Sequence, residues 1–260
     1  MNILYIGDIV GKPGKHALDV SLQKLRDQYD VNLCIGNGEN ASGGFGITPE
    51  VADELFDIGI DVITSGNHIF DKKEIFPLLD RDSKVIRPAN YPSEAPGKGS
   101  CLVKANTGET VAVVNLIGRV FMDPADCPFK KADSELSKLK QNTPIIFVDM
   151  HAEVTSEKTA MGWYLDGRAT AVIGSHTHVQ TADERILPKG TAYLSDAGMT
   201  GPKNSVIGVK TETAISKFIS KLPRRFETAT GESQLRGVII NVDTQSGKAK
   251  GIERIQVDMQ

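Results

Sequence analysis

Seven side chains that can bind a metal ion lie at or just after the ends of short apolar segments of this sequence. They are Asp8, Glu39, Asn40, Asn67, His151, His176 and His178. The set combines carboxylate, amide and imidazole donors without a thiolate, a mixture that suits iron, manganese or zinc. Seven donors are more than one tetrahedral ion uses. They suit two ions about 3.5–4 Å apart that share a carboxylate, the arrangement used for phosphoester hydrolysis.

Each of these positions also has an ordinary structural explanation when it is considered alone. Residues 65–68, Ser-Gly-Asn-His, form a typical turn sequence because Gly and Asn tolerate left-handed backbone. Asp8 could be a cap, and Glu39 with Asn40 could belong to an ordinary polar loop. His151 could be a hydrogen-bonded core histidine, and His176 with His178 could lie on a solvated strand edge. All of these explanations would have to hold together, and the same segments contain four of the five histidines. We therefore favour a shared metal site.

Alternating strand and helix patterns would bring these distant residues together. The segments 2–8, 31–40 and 60–68 are apolar strands, each followed by a turn and a helical pattern. Thr48 suits an N-cap and Pro49 the first position of the second helix. The alternation predicts a parallel α/β sheet, whose carboxyl strand ends leave a crevice. We expect the seven side chains to converge at one rim of that sheet.

The rest of the chain adds antiparallel elements to this pattern. Residues 99–118 predict a hairpin, 144–153 and 170–178 further apolar strands, and 235–257 a last hairpin. No internal repeat, low-complexity segment or linker interrupts the order. We therefore expect one layered α/β domain over residues 1–260.

The composition argues against several classes of partner. A net charge of -3 and a pI near 6.0 argue against sequence-independent binding of nucleic acid or of a membrane surface. No apolar run approaches the roughly 20 residues of a membrane span, and the start "MNILYIGD" lacks the features of a signal peptide. The scattered Cys34, Cys101 and Cys127 suit a reducing compartment. We expect a cytoplasmic protein with no membrane partner and no stable nucleic-acid partner.

The order of the motifs resembles that of a known enzyme group. "GD" at 7–8, "GNH" at 66–68, His151 and "GSHTH" at 174–178 resemble the blocks of calcineurin-like metallophosphoesterases. The resemblance extends to the YmdB-like family of bacterial phosphodiesterases through the segments "IGDIVGKPG", "NGENASGG", "TSGNHIFDKKEI", "RPANYP", "DMHAEVTSEK", "GWYLDGRATAVIGSHTHVQTAD" and "ILPKGTAYLSDAGMTGP". It covers nearly the whole chain and is weakest after about residue 205.

This resemblance implies a four-layer α/β/β/α sandwich and a two-metal centre, with iron as the native metal and manganese as a competent substitute. Glu39 would bridge the ions. The coordination of one ion would be completed by Asp8, Asn40 and His178, and that of the other by Asn67, His151 and His176. The chain departs from the wider superfamily because Asp8-Ile9-Val10 lacks the histidine of the D-x-H motif, and because Glu39 replaces the bridging Asp. Asn40 would fill the vacant place, and this exchange of nitrogen for oxygen leaves the metal identity open.

The implied reaction is hydrolysis of a phosphodiester, with 2',3'-cyclic nucleotides as the family's substrate class. A metal-bound hydroxide would attack phosphorus in line, since metal binding lowers the pKa of water from 15.7 to about 7. The ions would neutralise charge on the phosphoryl oxygens. His68 follows Asn67 and, as an imidazole that is not a ligand, could protonate the leaving alkoxide.

Two other functions stay open on the sequence alone. A phosphomonoesterase or nucleotidase could use the same two ions. A regulatory scaffold could use its metals mainly for stability, in which case metal removal would abolish no turnover. No residue pattern selects a 2',3'-cyclic substrate over a 3',5'-cyclic one or an RNA end, and a homo-oligomer is expected only by family analogy.

Overall fold

The computed structural model describes residues 1–81 and 84–259. In chain order its strands are β1 (Asn2–Ile6), β2 (Asp8–Ile9), β3 (Val31–Asn37), β4 (Val62–Thr64), β5 (Ser100–Lys104), β6 (Thr110–Ile117), β7 (Ile146–His151), β8 (Ala171–Ser175), β9 (Arg185–Ile186), β10 (Ala192–Leu194), β11 (Met199–Pro202), β12 (Ser233–Val242) and β13 (Ala249–Met259). The helices are α1 (Gly11–Gln28), α2 (Pro49–Ile58), α3 (Phe76–Arg81), α4 (Pro128–Leu139), α5 (Thr155–Tyr164) and α6 (Thr211–Ser220), with a 3₁₀ turn at Lys73–Ile75.

The strands form two sheets. The first has the order β2-β11-β12-β1-β3-β4, with β13 paired to β12, and the second has the order β5-β6-β7-β8-β10-β9. Strands β1, β3 and β4 run parallel, as do β6, β7, β8 and β10. The predicted hairpins are confirmed as the antiparallel pairs β5–β6 and β12–β13.

Alternate residues of β1 show how the layers stack. Ile3 and Tyr5 belong to a buried cluster that joins the two sheets, and the Tyr5 ring lies 5.1 Å from the ring of Phe147 on β7. Leu4 and Ile6 point the other way, into a cluster with residues of α1, α2 and α3. Residues of α4 and α5 form a third cluster with the outer face of the second sheet. The predicted four-layer α/β/β/α sandwich is confirmed.

Helix α2 shows how the sequence sets an element boundary. The hydroxyl of Thr48 accepts a hydrogen bond from the Val51 amide, and Pro49 takes the first helical position, where its missing N–H costs nothing. Gly59 ends the helix with a φ of 118°, a conformation that glycine adopts without a Cβ clash. The predicted caps are confirmed.

The expectation that the seven polar side chains share the rim of one sheet is wrong. Four of them, Asp8, Glu39, Asn40 and Asn67, lie on or after strands of the first sheet, and three, His151, His176 and His178, on or after strands of the second. A strand that is apolar on both faces can be covered by helices or by another sheet, so the apolar pattern alone does not separate the two cases. None of the helices within the described ranges is long and apolar enough to cross a membrane.

Candidate metal centre

The carboxyl ends of strands from both sheets meet around His151. Its Nε2 atom lies 3.2 Å from a carboxylate oxygen of Glu39, 3.1 Å from Nδ1 of His176 and 3.0 Å from Oδ1 of Asn67. Glu39, His151 and His176 each offer a donor atom within 4.8 Å of the others. With Asn67, which contacts His151, these residues include the three that the resemblance assigns to one ion, Asn67, His151 and His176.

The other predicted ligands lie beside this group. The amide nitrogen of Asn40 lies 3.2 Å from a Glu39 oxygen and 3.3 Å from Nε2 of His178. Oδ1 of Asp8 is 4.0 Å from Nε2 of His178 and 4.0 Å from Nδ1 of His151. Asp8 is fully buried, and within the described residues its Oδ1 has no hydrogen-bond partner. The structure therefore brings all seven residues into one cluster.

A chain of hydrogen bonds fixes which nitrogen of His151 carries hydrogen. Ser175 Oγ lies 2.6 Å from Oδ1 of the buried Asp149 and donates its single hydrogen to that oxygen. The same hydroxyl oxygen lies 2.9 Å from Nδ1 of His151, so it accepts the Nδ1 hydrogen. The lone pair of Nε2 then points into the cluster, as in metal sites where the outer N–H of a histidine is held by an acceptor.

The other two histidines are oriented in the same way. Nδ1 of His178 lies 2.8 Å from the carbonyl oxygen of Ile207, which can only accept, so Nε2 faces the cluster without a hydrogen. Nε2 of His176 lies 3.0 Å from the carboxylate of Glu153, which leaves the lone pair of Nδ1 facing His151. Three imidazole lone pairs thus point inward beside the unpartnered Asp8 oxygen. This set of donors fits metal cations.

The pKa shifts show how strongly the buried carboxylates and imidazoles of the cluster interact. Burial alone would lower the pKa of His151, but the charge and hydrogen bond of Glu39 outweigh it and raise this pKa to about 9. Burial alone would raise the pKa of Glu39, yet the charge of His151 lowers it to about 2. Burial raises the pKa of Asp8 to about 6. For His176, burial and the neighbouring His151 charge lower the pKa to about 3. Beside these buried carboxylates, metal cations would take the place of the His151 proton.

The loop that carries His176 and His178 adopts an unfavourable backbone. Their φ angles are 101° and 64°, in the left-handed region that residues other than glycine rarely adopt. Strained backbone of this kind persists only where the surrounding contacts hold it.

A buried ion pair supplies those contacts. Lys158 on α5 lies 2.7 Å from a carboxylate oxygen of Asp196, and both side chains are almost fully buried. Lys158 also donates to the carbonyl of Ser175, while Asp196 accepts from the amide and the hydroxyl of Thr177. The pair therefore clamps the loop on both sides of His176.

Gly66 makes room for the ring of His151. A Cβ at this position would lie 2.1 Å from Nε2 of His151, so only glycine fits without moving the ring. The Gly-Asn-His turn thus has a packing reason for its glycine in addition to the role of Asn67.

His68 lies at the edge of the cluster. Its backbone amide donates to a Glu39 oxygen at 2.9 Å, and Nδ1 of its ring lies 2.8 Å from the carboxylate of Asp71. Asp71 holds the Nδ1 hydrogen and leaves Nε2 for the adjacent cleft, which His68 lines. The side chain is 28% exposed. His68 can therefore meet a molecule in the cleft.

The geometry agrees with a comparison against known families. The family described as "YmdB-like protein" matches residues 4–255. The chain belongs to the YmdB-like family. Its relatives include the 2',3'-cyclic-nucleotide 2'-phosphodiesterase of Bacillus subtilis (strain 168), which is 52% identical over 99% of this chain and 97% of the relative.

Two solved structures share the whole fold of this chain. A protein from Thermus thermophilus is 40% identical, with a TM-score of 0.93 over 100% of both chains. A structure described as a novel phosphatase from Mycoplasma pneumoniae is 33% identical, with a TM-score of 0.93 over 100% of this chain and 94% of that one.

Sequence reasoning missed the residues of this YmdB-like protein that orient the predicted ligands and His68. They are Asp71, Asp149, Glu153, Lys158 and Ser175. Four lie close in sequence to a predicted site residue: Asp71 is three positions after His68, Asp149 two before and Glu153 two after His151, and Ser175 one before His176. That spacing is the signal that could have found them. Lys158 has no such signal, because the nearest predicted site residue, His151, is seven positions away.

Proposed function

We propose that this chain hydrolyses the phosphodiester bond of 2',3'-cyclic nucleotides at a two-metal centre. The single observation that carries the proposal is the position of Glu39, whose carboxylate contacts a member of each of the two groups of donors. Oε1 approaches His151 and Asn40 at 3.2 Å each. The activity named for the 52% identical Bacillus relative supports the same substrate class. Cleavage at the 2' oxygen would leave the phosphate on the 3' oxygen.

The ligand roles in this proposal follow the two groups. Two ions would share Glu39, and the other residues that would hold them are Asp8, Asn40 and His178 for one ion and Asn67, His151 and His176 for the other. Asn40 now directs N–H toward Glu39 and His178, and a half-turn of its amide would present the carbonyl oxygen instead. Iron is the proposed native metal and manganese a competent substitute, because oxygen and imidazole donors suit both. When bound, such ions supply Lewis acidity that activates water and neutralises phosphoryl charge.

His68 supplies the proton in this reaction. Asp71 holds the ring through Nδ1 at 2.8 Å, so that Nε2 faces the cleft. A proton on Nε2 would pass to the 2' oxygen as its bond to phosphorus breaks. The contact between the His68 amide and Glu39 keeps this acid next to the metal ligands.

Three further proposals concern the chain as a whole. We treat residues 1–260 as one domain, because the proposed ligands come from both sheets and a shorter unit would lose part of the set. A cytoplasmic location is supported by the odd number and wide spacing of the cysteines, Cys34, Cys101 and Cys127, which suit a reducing compartment. A homo-oligomer remains a prediction from family analogy.

Product analysis tests the proposed function. The protein, loaded with Mn²⁺ or Fe²⁺, is incubated with 2',3'-cyclic AMP, 3',5'-cyclic AMP and 3'-AMP, and the products are separated by chromatography. We expect 3'-AMP from the first substrate and little free phosphate from the third. Faster release of phosphate from 3'-AMP would instead indicate a phosphomonoesterase. Absence of turnover by the metal-loaded protein would indicate a scaffold.

A further inference from the structure

The cleft beside the metal centre is lined by two kinds of residue. It has a volume of about 280 Å³, at the small end of ligand pockets. The predicted ligands Glu39, Asn40, His176 and His178 belong to the lining. Most of the remaining lining is apolar and includes Val10, Phe45, Ile207, Val209 and Phe226, and we call this part the apolar wall. The apolar wall has no role in the proposed chemistry at phosphorus.

Phe45 is held in this wall by its loop. Its neighbours Gly43, Gly44 and Gly46 have φ angles of 70°, 100° and 74°, which favour glycine. The hydroxyl of Thr228 donates to the carbonyl of Gly43 at 2.9 Å, and a Cβ on Gly44 would lie 2.5 Å from that hydroxyl. Phe45 is nevertheless 38% exposed. The loop therefore presents an aromatic ring to the cleft instead of burying it.

The position of Phe45 relative to His68 suggests what the ring contacts. The two ring centroids are 5.1 Å apart, and the ring planes are inclined at 70°. In a 2',3'-cyclic nucleotide the base is attached to C1', the neighbour of the carbon that carries the 2' oxygen. If His68 protonates the 2' oxygen, the base lies within a few bonds of His68, which is the region that Phe45 occupies.

The other aromatic side chain of the wall is already engaged. The ammonium of Lys217 lies 4.0 Å from the ring centroid of Phe226. Two polar side chains of the same wall also have partners, because Glu227 pairs with Lys210 and Thr228 donates to Gly43. Phe45 is thus the aromatic ring best placed to meet a base.

We propose that Phe45 is the base-contacting residue of this enzyme, an inference that rests on the proposed function. The ring would stack on the nucleobase and hold the cyclic phosphate next to His68. Stacking uses the face that every base has, so Phe45 would accept all four bases and favour the larger purines. Phe45 thereby contributes to binding of nucleotides over other cyclic phosphodiesters.

Steady-state kinetics of the metal-loaded protein test this proposal. The substrates are 2',3'-cyclic AMP, 2',3'-cyclic CMP and a base-free methyl riboside 2',3'-cyclic phosphate. For Phe45→Ala we expect the KM for 2',3'-cyclic AMP to rise about tenfold, in line with the loss of one aromatic stack, and the KM for 2',3'-cyclic CMP to rise less. The base-free substrate has nothing to stack, so its kcat/KM should change by less than about twofold. Phe45→Trp should keep or lower the KM for cyclic AMP.

Phe218→Ala is the matched control, since Phe218 is 69% exposed on α6 and does not line the cleft. It should leave all three KM values unchanged. An unchanged KM for cyclic AMP in Phe45→Ala would overturn the proposal. An equal loss of kcat on all three substrates would also overturn it, because Phe45 would then position His68 and not the base. Turnover of cyclic AMP by the unaltered protein tests the proposed function separately.

Discussion

Nε2 of His151 lies 3.1 Å from Nδ1 of His176, and the outer nitrogen of each ring faces an oxygen that accepts its hydrogen. When both rings are neutral, two lone pairs therefore meet at the centre of the site. Such a contact is repulsive unless a positive charge lies near both nitrogens. Beside the carboxylates of Glu39 and Asp8, a metal cation satisfies these atoms together.

Substitution of Glu153, which is not itself a predicted ligand, should weaken metal binding. Its carboxylate holds His176 at 3.0 Å, and loss of such an orienting partner typically reduces metal affinity by about 10–100-fold. We expect this loss in Glu153→Ala, measured by competition with a coloured chelator. Glu153→Gln keeps an oxygen that accepts the hydrogen and should retain most of the affinity. Wild-type affinity in Glu153→Ala would show that Glu153 does not set the orientation of His176.

Removal of His68 should abolish most turnover while the metal content stays unchanged. A general acid typically contributes about 10²–10⁴-fold to the rate. We expect a loss of this size in His68→Ala with 2',3'-cyclic AMP, and a much smaller one with bis-p-nitrophenyl phosphate, whose leaving group needs no proton. His16→Ala, at an exposed position of α1, is the matched control and should be fully active. Full activity of His68→Ala at unchanged metal content would exclude the role of His68.

Asp71 should act only through His68. Its carboxylate lies 2.8 Å from Nδ1 of His68, so Asp71→Ala frees the ring, and we expect kcat to fall by about tenfold. The loss should not add to that of His68→Ala, because the two residues act as a unit. Kinetics of the two single variants and the double variant measure this coupling. Fully additive losses would mean that Asp71 acts on the substrate or the metals by another route.

Breaking the buried pair of Lys158 and Asp196 should destabilise the fold. Lys158→Met leaves the Asp196 charge buried without a cation, and removal of one partner of such a pair costs about 3–5 kcal/mol. Chemical denaturation of the metal-loaded protein measures this cost. The double variant Lys158→Met/Asp196→Leu should recover part of the free energy of unfolding. Lys130→Met, at an exposed position of α4, should have no effect, and a similarly small effect of Lys158→Met would contradict the clamp.

Local signals in the sequence predicted the elements and the positions of the site residues. The caps of α2 at Thr48 and Pro49, the two hairpins and the strand ends near Asp8 and Glu39 all follow from patterns of a few residues. Convergence of the strand ends within each sheet also follows, since parallel strands end on one side, but the meeting of the two sheets at one site does not. The family resemblance, and not the apolar pattern, predicted that a second sheet covers the first.

Contacts between distant charged residues could not be predicted in this way. Lys158 lies on a helix, where a lysine is ordinarily solvent-exposed, and its partner Asp196 is 38 positions away. Asp149 on β7 is buried among Tyr5 of β1, Thr64 of β4 and Ser175 of β8. These four strands belong to two different sheets. Such partners are set by the packing of layers, which spacing along the chain does not report.

The ratio of metal to protein is the most direct test of a two-metal phosphodiesterase site. The protein is purified without chelator, and elemental analysis is performed on the fraction that hydrolyses 2',3'-cyclic AMP. We predict two transition-metal ions per chain, mainly iron, with both metal and activity lost on chelation. A fully active protein that contains one ion or none would contradict the proposed centre.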